Sequence, residues 1–137
     1  MLTLADVRDY IKTFKLAENY YAGKLDGKKE KSIGVYQRKN SYAPRKCIGV
    51  PSCYDRKPVS VLVHWNKNAR ETEEQAFLLY EKLEGIKDAD MGGTHILFAD
   101  VLNVEPVDVG TDDDNVYERV IEFDLYYKKQ EGSVLNE

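Results

Sequence analysis

The sequence predicts an α+β fold: a mixed, largely antiparallel sheet flanked by two helices, in the order α-β-β-loop-β-α-β-β. Three observations carry this. Leu4, Val7, Ile11 and Phe14 recur at helical spacing near the N-terminus. Val59, Val61, Val63 and Trp65 alternate in a β-branched run that reads as a central strand. From Tyr117 to Tyr127 the odd positions are mostly apolar, while Glu118, Glu122 and Asp124 stand among the even ones, the period of a strand with one face on a core.

The elements follow in order. Thr3, with Asp6 three residues on, is a weaker version of a capping box and opens a helix over residues 3–17. Residues 20–25 and 32–38 read as strands, joined as a hairpin by the Asp26-Gly27 turn. Residues 39–57, punctuated by Pro44, Gly49 and Pro51, form a long loop of the sort that tends to be functional. After the 59–65 strand, Thr72-Glu-Glu-Gln75 caps a second helix that stops at Gly85. Gly92-Gly93 is a turn before a strand over 94–102. Asn115 suits a left-handed turn position ahead of the last strand, 116–127. Both helices are expected on one face of the sheet. Residues 1–137 make one domain, with 132–137 a frayed tail.

Charge is segregated. Between Gly23 and Lys46 eight cations face only Asp26 and Glu30, whereas between Asp100 and Asp124 nine carboxylates face only Arg119. Surfaces of opposite sign on identical copies favour head-to-tail contacts, which close into rings, although solvated charged loops show the same composition. Ten tyrosines add contact area with polar tips. No run approaches the roughly 20 apolar residues of a membrane span, and the N-terminus lacks the plan of a signal peptide. Cys47 and Cys53 are therefore expected as free thiols of a chain made in a cytoplasm.

No catalytic constellation emerges. His64 has no Ser, Cys or carboxylate beside it in sequence at a recognisable spacing and reads as a structural or surface histidine, as does His95. Cys47 and Cys53, six apart, do not match a zinc knuckle. Asp108, Asp112, Asp113 and Asp114 would suit calcium by composition but lack the EF-hand register, which favours an acidic turn. The basic 24–46 region, with Tyr36 and Tyr42 interleaved, allows phosphate contact without sequence readout.

Four segments together carry a family likeness. They are Ile33-Gly-Val-Tyr-Gln-Arg-Lys-Asn-Ser41 with Arg45-Lys-Cys-Ile-Gly49; Val61-Leu-Val-His-Trp-Asn66; the helix from Glu73 to Leu83; and Glu105 to Asp112 with Tyr117 to Tyr127. The ordered set, over about residues 18–128, resembles the minor capsid or tail-terminator proteins of tailed bacteriophages and prophages of Gram-positive hosts, with Asn115 where a glycine is expected. The resemblance implies a structural virion protein, typically a hexameric ring, that caps the tail tube, ends its polymerisation and docks the head. It implies copies of itself, the tail tube protein and a head-completion or connector protein as partners. DNA is then only a passing neighbour, and no catalytic residue, cofactor, metal or membrane is implied. The expected location is the virion, and the host cytoplasm during assembly.

On that reading Arg38, Lys39, Arg45, Lys46, Asp112, Asp113 and Asp114 are interface candidates, and the 26–31 and 39–57 loops are the candidates for axial contacts. Glu118, Glu122 and Asp124 are the candidate channel face, whose charge would repel DNA. A neck or head-completion protein on the portal side is the nearest alternative, and a small metal- or nucleotide-dependent enzyme a remote one.

Overall fold

A computed structural model describes residues 1–39 and 54–129. The expected 132–137 tail and most of the expected 39–57 loop, with Arg45, Lys46 and both cysteines, lie outside the described residues.

The elements are α1 (Leu4–Lys12), β1 (Asn19–Ala22), β2 (Ser32–Gln37), β3 (Tyr54–His64), α2 (Ala69–Glu84), β4 (Lys87–Met91), β5 (Thr94–Val101), β6 (Val107–Thr111) and β7 (Tyr117–Lys128). They form a mixed seven-stranded sheet in the order β1-β2-β3-β7-β5-β4, with β6 also paired to β7. β5 takes the part of β7 beyond Phe123 and β6 takes its start, so the two share one edge of the longest strand. α1 touches β1 and β2 at one end of the sheet and β4 at the other, so the sheet curls about the helix. The α+β class is as expected, and α1 and α2 bury Val7, Ile11, Ala76, Leu79 and Leu83 in one core with Val61, Val63, Ile121 and Phe123.

α1 carries a complete capping box. The Asp6 N–H donates to the Thr3 hydroxyl at 3.1 Å, and the Thr3 N–H donates to the Asp6 carboxylate at 3.0 Å. The helix ends at Lys12, earlier than the apolar spacing suggested. The Thr13 hydroxyl donates to the Tyr10 carbonyl, Lys15 turns left-handed at φ 58°, and the Tyr20 hydroxyl accepts the N–H groups of Leu16 and Ala17. Phe14 still packs on the core, but from that turn. α2 starts one turn ahead of Thr72: Asn68 caps it by accepting from Glu71 N–H at 3.0 Å, and the Glu71 carboxylate accepts from Trp65 Nε1 at 2.9 Å.

The expected hairpin of β1 and β2 is a correction. The two strands pair in parallel, Asn19 opposite Ser32 and Ala22 opposite Val35. Gly23, at φ +90°, turns the chain out of β1, and Asp26 tightens the next turn by accepting from Lys28 N–H. The Lys31 N–H then donates to the Trp65 carbonyl at 2.7 Å, which brings the chain back to the end of the sheet where β1 began. The loop is thus fastened to β3, and β2 starts level with β1.

β3 is longer than expected and runs through Pro58 to Tyr54. The Pro58 carbonyl accepts from Arg38 N–H, so its nitrogen also points to the side of β2, just past the end of that strand. No ladder bond to β7 is lost, which is the placement a proline tolerates in a sheet. The Gly92-Gly93 turn is confirmed as a two-residue hairpin turn between β4 and β5, both glycines at positive φ. Asn115 is left-handed at φ 65°, as expected.

Candidate functional site

Two features organise the functional surface. The first is a buried polar knot at the sheet end where β2 and β7 begin and β3 finishes. His64, on the face of β3 away from the core, is 1% exposed. Its Nε2 lies 3.0 Å from the Gly27 carbonyl and its Nδ1 2.7 Å from Glu118 Oε2, with Asp112 Oδ2 at 3.8 Å. A carbonyl can only accept, so Nε2 carries a proton toward Gly27. Nδ1 faces the carboxylates of Glu118 and, farther off, Asp112. The three ligand atoms of His64, Asp112 and Glu118 lie within 4.8 Å of one another, close enough to hold a metal ion. His64 is buried rather than on the surface, and its carboxylate partners come from β7 and the acidic turn, far away in sequence.

Asp112 shapes that turn. Its Oδ1 accepts the N–H groups of Asp114 at 2.9 Å and Val116 at 3.0 Å, and its own N–H donates to the Val116 carbonyl. The Val116 N–H, helped by that of Asp114 and by His64, holds the Asp112 carboxyl below the usual carboxylate range against the desolvation of its half-buried place. Asp113 and Asp114 are exposed. They border a surface hollow shared with Lys24, Asp26 and Lys28, so the cationic 24–31 loop and the acidic turn neighbour each other within one subunit. Part of the segregated charge is therefore met inside the chain rather than left for another copy.

The expected anionic face of β7 needs the same correction. Asp124 is buried, 1% exposed, and ion-paired with the Arg38 guanidinium. Glu118 is half-buried against His64, and Glu122 accepts from the Asn103 side-chain amide while its N–H donates to Asn103 Oδ1 at 2.6 Å. Asp124 thus offers no solvent-facing charge, and Arg38 is tied to the fold, while Lys39 beside it is exposed. His95 is 40% exposed by its side chain, within 3.9 Å of Asp88 and Asp90 on the β4–β5 hairpin.

The second feature was not foreseen from sequence. Phe98, Leu102, Val104, Val107 and Val109 are all exposed, Val104 at 94%, and they concentrate most of the exposed large apolar side chains of the described residues on the β5–β6 ribbon. Every residue of β6 is exposed. The signal was present as Val107-Asp-Val109, a short period of two, but it was absorbed into the acidic turn that follows. Arg119 holds the ribbon to the fold, donating to the Pro106 carbonyl and lying 3.6 Å from Glu73 on α2 and 3.9 Å from Asp108.

An exposed edge strand that carries apolar side chains, here Val107 and Val109 on β6, is a feature of surfaces that meet other proteins. The chain matches the family described as bacteriophage tail terminator protein over residues 4–129, and it belongs to that family. It is accordingly a structural component of a phage virion, from a family not known for catalysis, that works in contact with other virion components. A search of curated proteins gives no significant match. No helix among the described residues is long and apolar enough to cross a membrane.

Proposed function

We propose that identical copies of this chain close into a ring, a hexamer as the family likeness implies, that seats on the finished tail tube, stops addition of tube subunits and offers its other face to the head-completion protein. The observation that carries this is the family match over almost the whole chain.

The two ends of the strands support it. At one end lie the 26–31 loop, the His64 knot and the exposed Asp113 and Asp114. At the other, β2 ends at Gln37 and β3 begins at Tyr54, next to the exposed Lys39. A ring whose axis follows the strands would show these chemically different ends as its two faces. That difference is what a terminator needs, since one face must match the tube and the other must not repeat it. Glu122, on the side of β7 away from the core, is the residue of the three that we assign to the channel, where negative charge would keep passing DNA from sticking, since Glu118 is engaged by His64 and Asp124 by Arg38.

Electron microscopy of particles made with and without this gene product tests the proposal. Loss of the protein should give overlong or headless tails, and restoration from a plasmid should return normal length and joining. Tails of unchanged length that still acquire heads would reject it.

A further inference from the structure

We propose that the ring is sealed by strand pairing between copies: β6 of one subunit adds, antiparallel, to the β1 edge of the next, joining the subunits into one continuous sheet. The inference rests on the ring reading above and specifies the contact that builds it.

The register of the sheet is the first argument. β1 has a single partner, β2, and β6 a single partner, β7, among the described residues. The path β1-β2-β3-β7-β6 is therefore a band with an unpaired edge at either end. Tracing pairs across it, Asn19 aligns with Ser32, His64, Glu118 and Gly110. Tyr20 aligns with Ile33, Val63, Arg119 and Asp108, and Tyr21 with Gly34, Leu62, Val120 and Val107. The two free edges thus occupy the same rows of the sheet. They are also of similar length, four residues in β1 and five in β6. A rotation about an axis along the strands would bring them together without sliding one subunit along the other.

Strand direction agrees. β6 is antiparallel to β7, β7 to β3 and β3 to β2, while β2 is parallel to β1. β6 and β1 therefore run in opposite directions, and a cyclic rotation about that axis preserves this, giving the more stable antiparallel ladder. The contact is heterologous, the kind that closes into rings.

Chemistry selects these two edges over the third. β4 guards itself with Lys87, Asp88 and Asp90, and Asp88 breaks the line of the strand at φ 49°. β6 presents Val107 and Val109, with a bulge between Asp108 and Gly110. Beside β1 runs an open groove with Tyr20 and Tyr21 in its wall and a mixed charge, Arg8 (paired with Asp9), Lys12 and Lys29 against Asp9 and Glu18. Its tyrosines suit the valines of β6, and Lys12 and Lys29 suit Asp108 and Glu105, so the occupant that fits is the next copy's β6.

The test is cross-linking in assembled tails. Tyr21→Cys with Val107→Cys, placed on one row and one side of the sheet, is introduced with Cys47→Ser and Cys53→Ser, and tails from complemented lysates are oxidised. Non-reducing gels should show a ladder of multimers of this chain ending at the ring size, absent for a Leu78→Cys with Val107→Cys control. A second variant, Val107→Lys with Val109→Lys, should stay folded by circular dichroism, because both side chains are exposed, yet lose incorporation into tails. A ring seen by microscopy without the 21–107 cross-link, or normal incorporation of the lysine variant, overturns the edge pairing and leaves the ring reading standing. Absence of the wild-type protein from tails overturns both.

Discussion

At the scale of residues, two buried ionic contacts decide what the charged side chains can do. Arg38 and Asp124 are 17% and 2% exposed by side chain, so removing one partner leaves a charge in a poorly hydrated place. Arg38→Ala is expected to lower stability by about 3 kcal/mol, while Arg38→Met with Asp124→Leu recovers much of it; denaturant titration of the single and double variants checks both. Charge reversal of Arg38 would therefore report on folding before it reported on assembly. His64 is the second case. Its two ring nitrogens fasten the 26–31 loop and the acidic turn to the same strand end, so His64→Leu should raise hydrogen exchange at Gly27 and at 112–116 and cost about 1–3 kcal/mol. Acid should loosen the same place. The folded Asp112 carboxyl titrates below its unfolded value of about 3.9, so its contribution is present above that pH and is lost as pH falls through the lower, folded value. Thermal melts below about pH 4 should show a smaller acid loss in Asp112→Asn than in the wild type.

At the scale of elements, the sequence was legible where one period dominated. α1, α2, β3, β5 and β7 each carry an apolar face that tertiary packing then used, and the class of fold followed from them. β4, Lys87 to Met91, was missed because its residues are charged and only Met91 is buried; the β5 ladder makes it a strand, not its pattern. β1 and β2 were read as a hairpin from the Asp26-Gly27 turn, but a local turn signal cannot reveal that Lys31 will bond to Trp65. Of the candidate site, the acidic turn and Asn115 were visible in sequence. The partners of His64, Arg38 and Asp124 were not, because they are brought together over separations of 37 to 86 residues. Gly92 shows how tightly the elements fit. A Cβ there would meet Asp6 Oδ1 at 2.2 Å and would also sit at positive φ, striking the capping box of α1. Gly92→Ala should thus destabilise by more than the roughly 1 kcal/mol of lost turn freedom, and Gly93→Ala, with open space around it, by about that amount; melting temperatures of the two variants separate the effects.

At the scale of the molecule, the family match supplies the role and the sheet supplies a route to it. A continuous band of strands with unlike chemistry at its two ends gives a subunit an inner register and two distinguishable faces. Helices α1 and α2 lie over the core side, and in the proposed ring the other side of β3 and β7 would face the channel. The segregated charge seen in the sequence is partly spent within the subunit, at the 24–31 loop and the acidic turn, so the proposed ring would lean on strand edges and apolar contact more than on long-range attraction. The most direct measurement is a three-dimensional reconstruction of the head-proximal end of the tail. A closed ring of copies of this chain should lie between tube and head-completion protein, their strands running along the axis; density for the chain elsewhere in the virion, or no ring at that junction, would refute the proposed role.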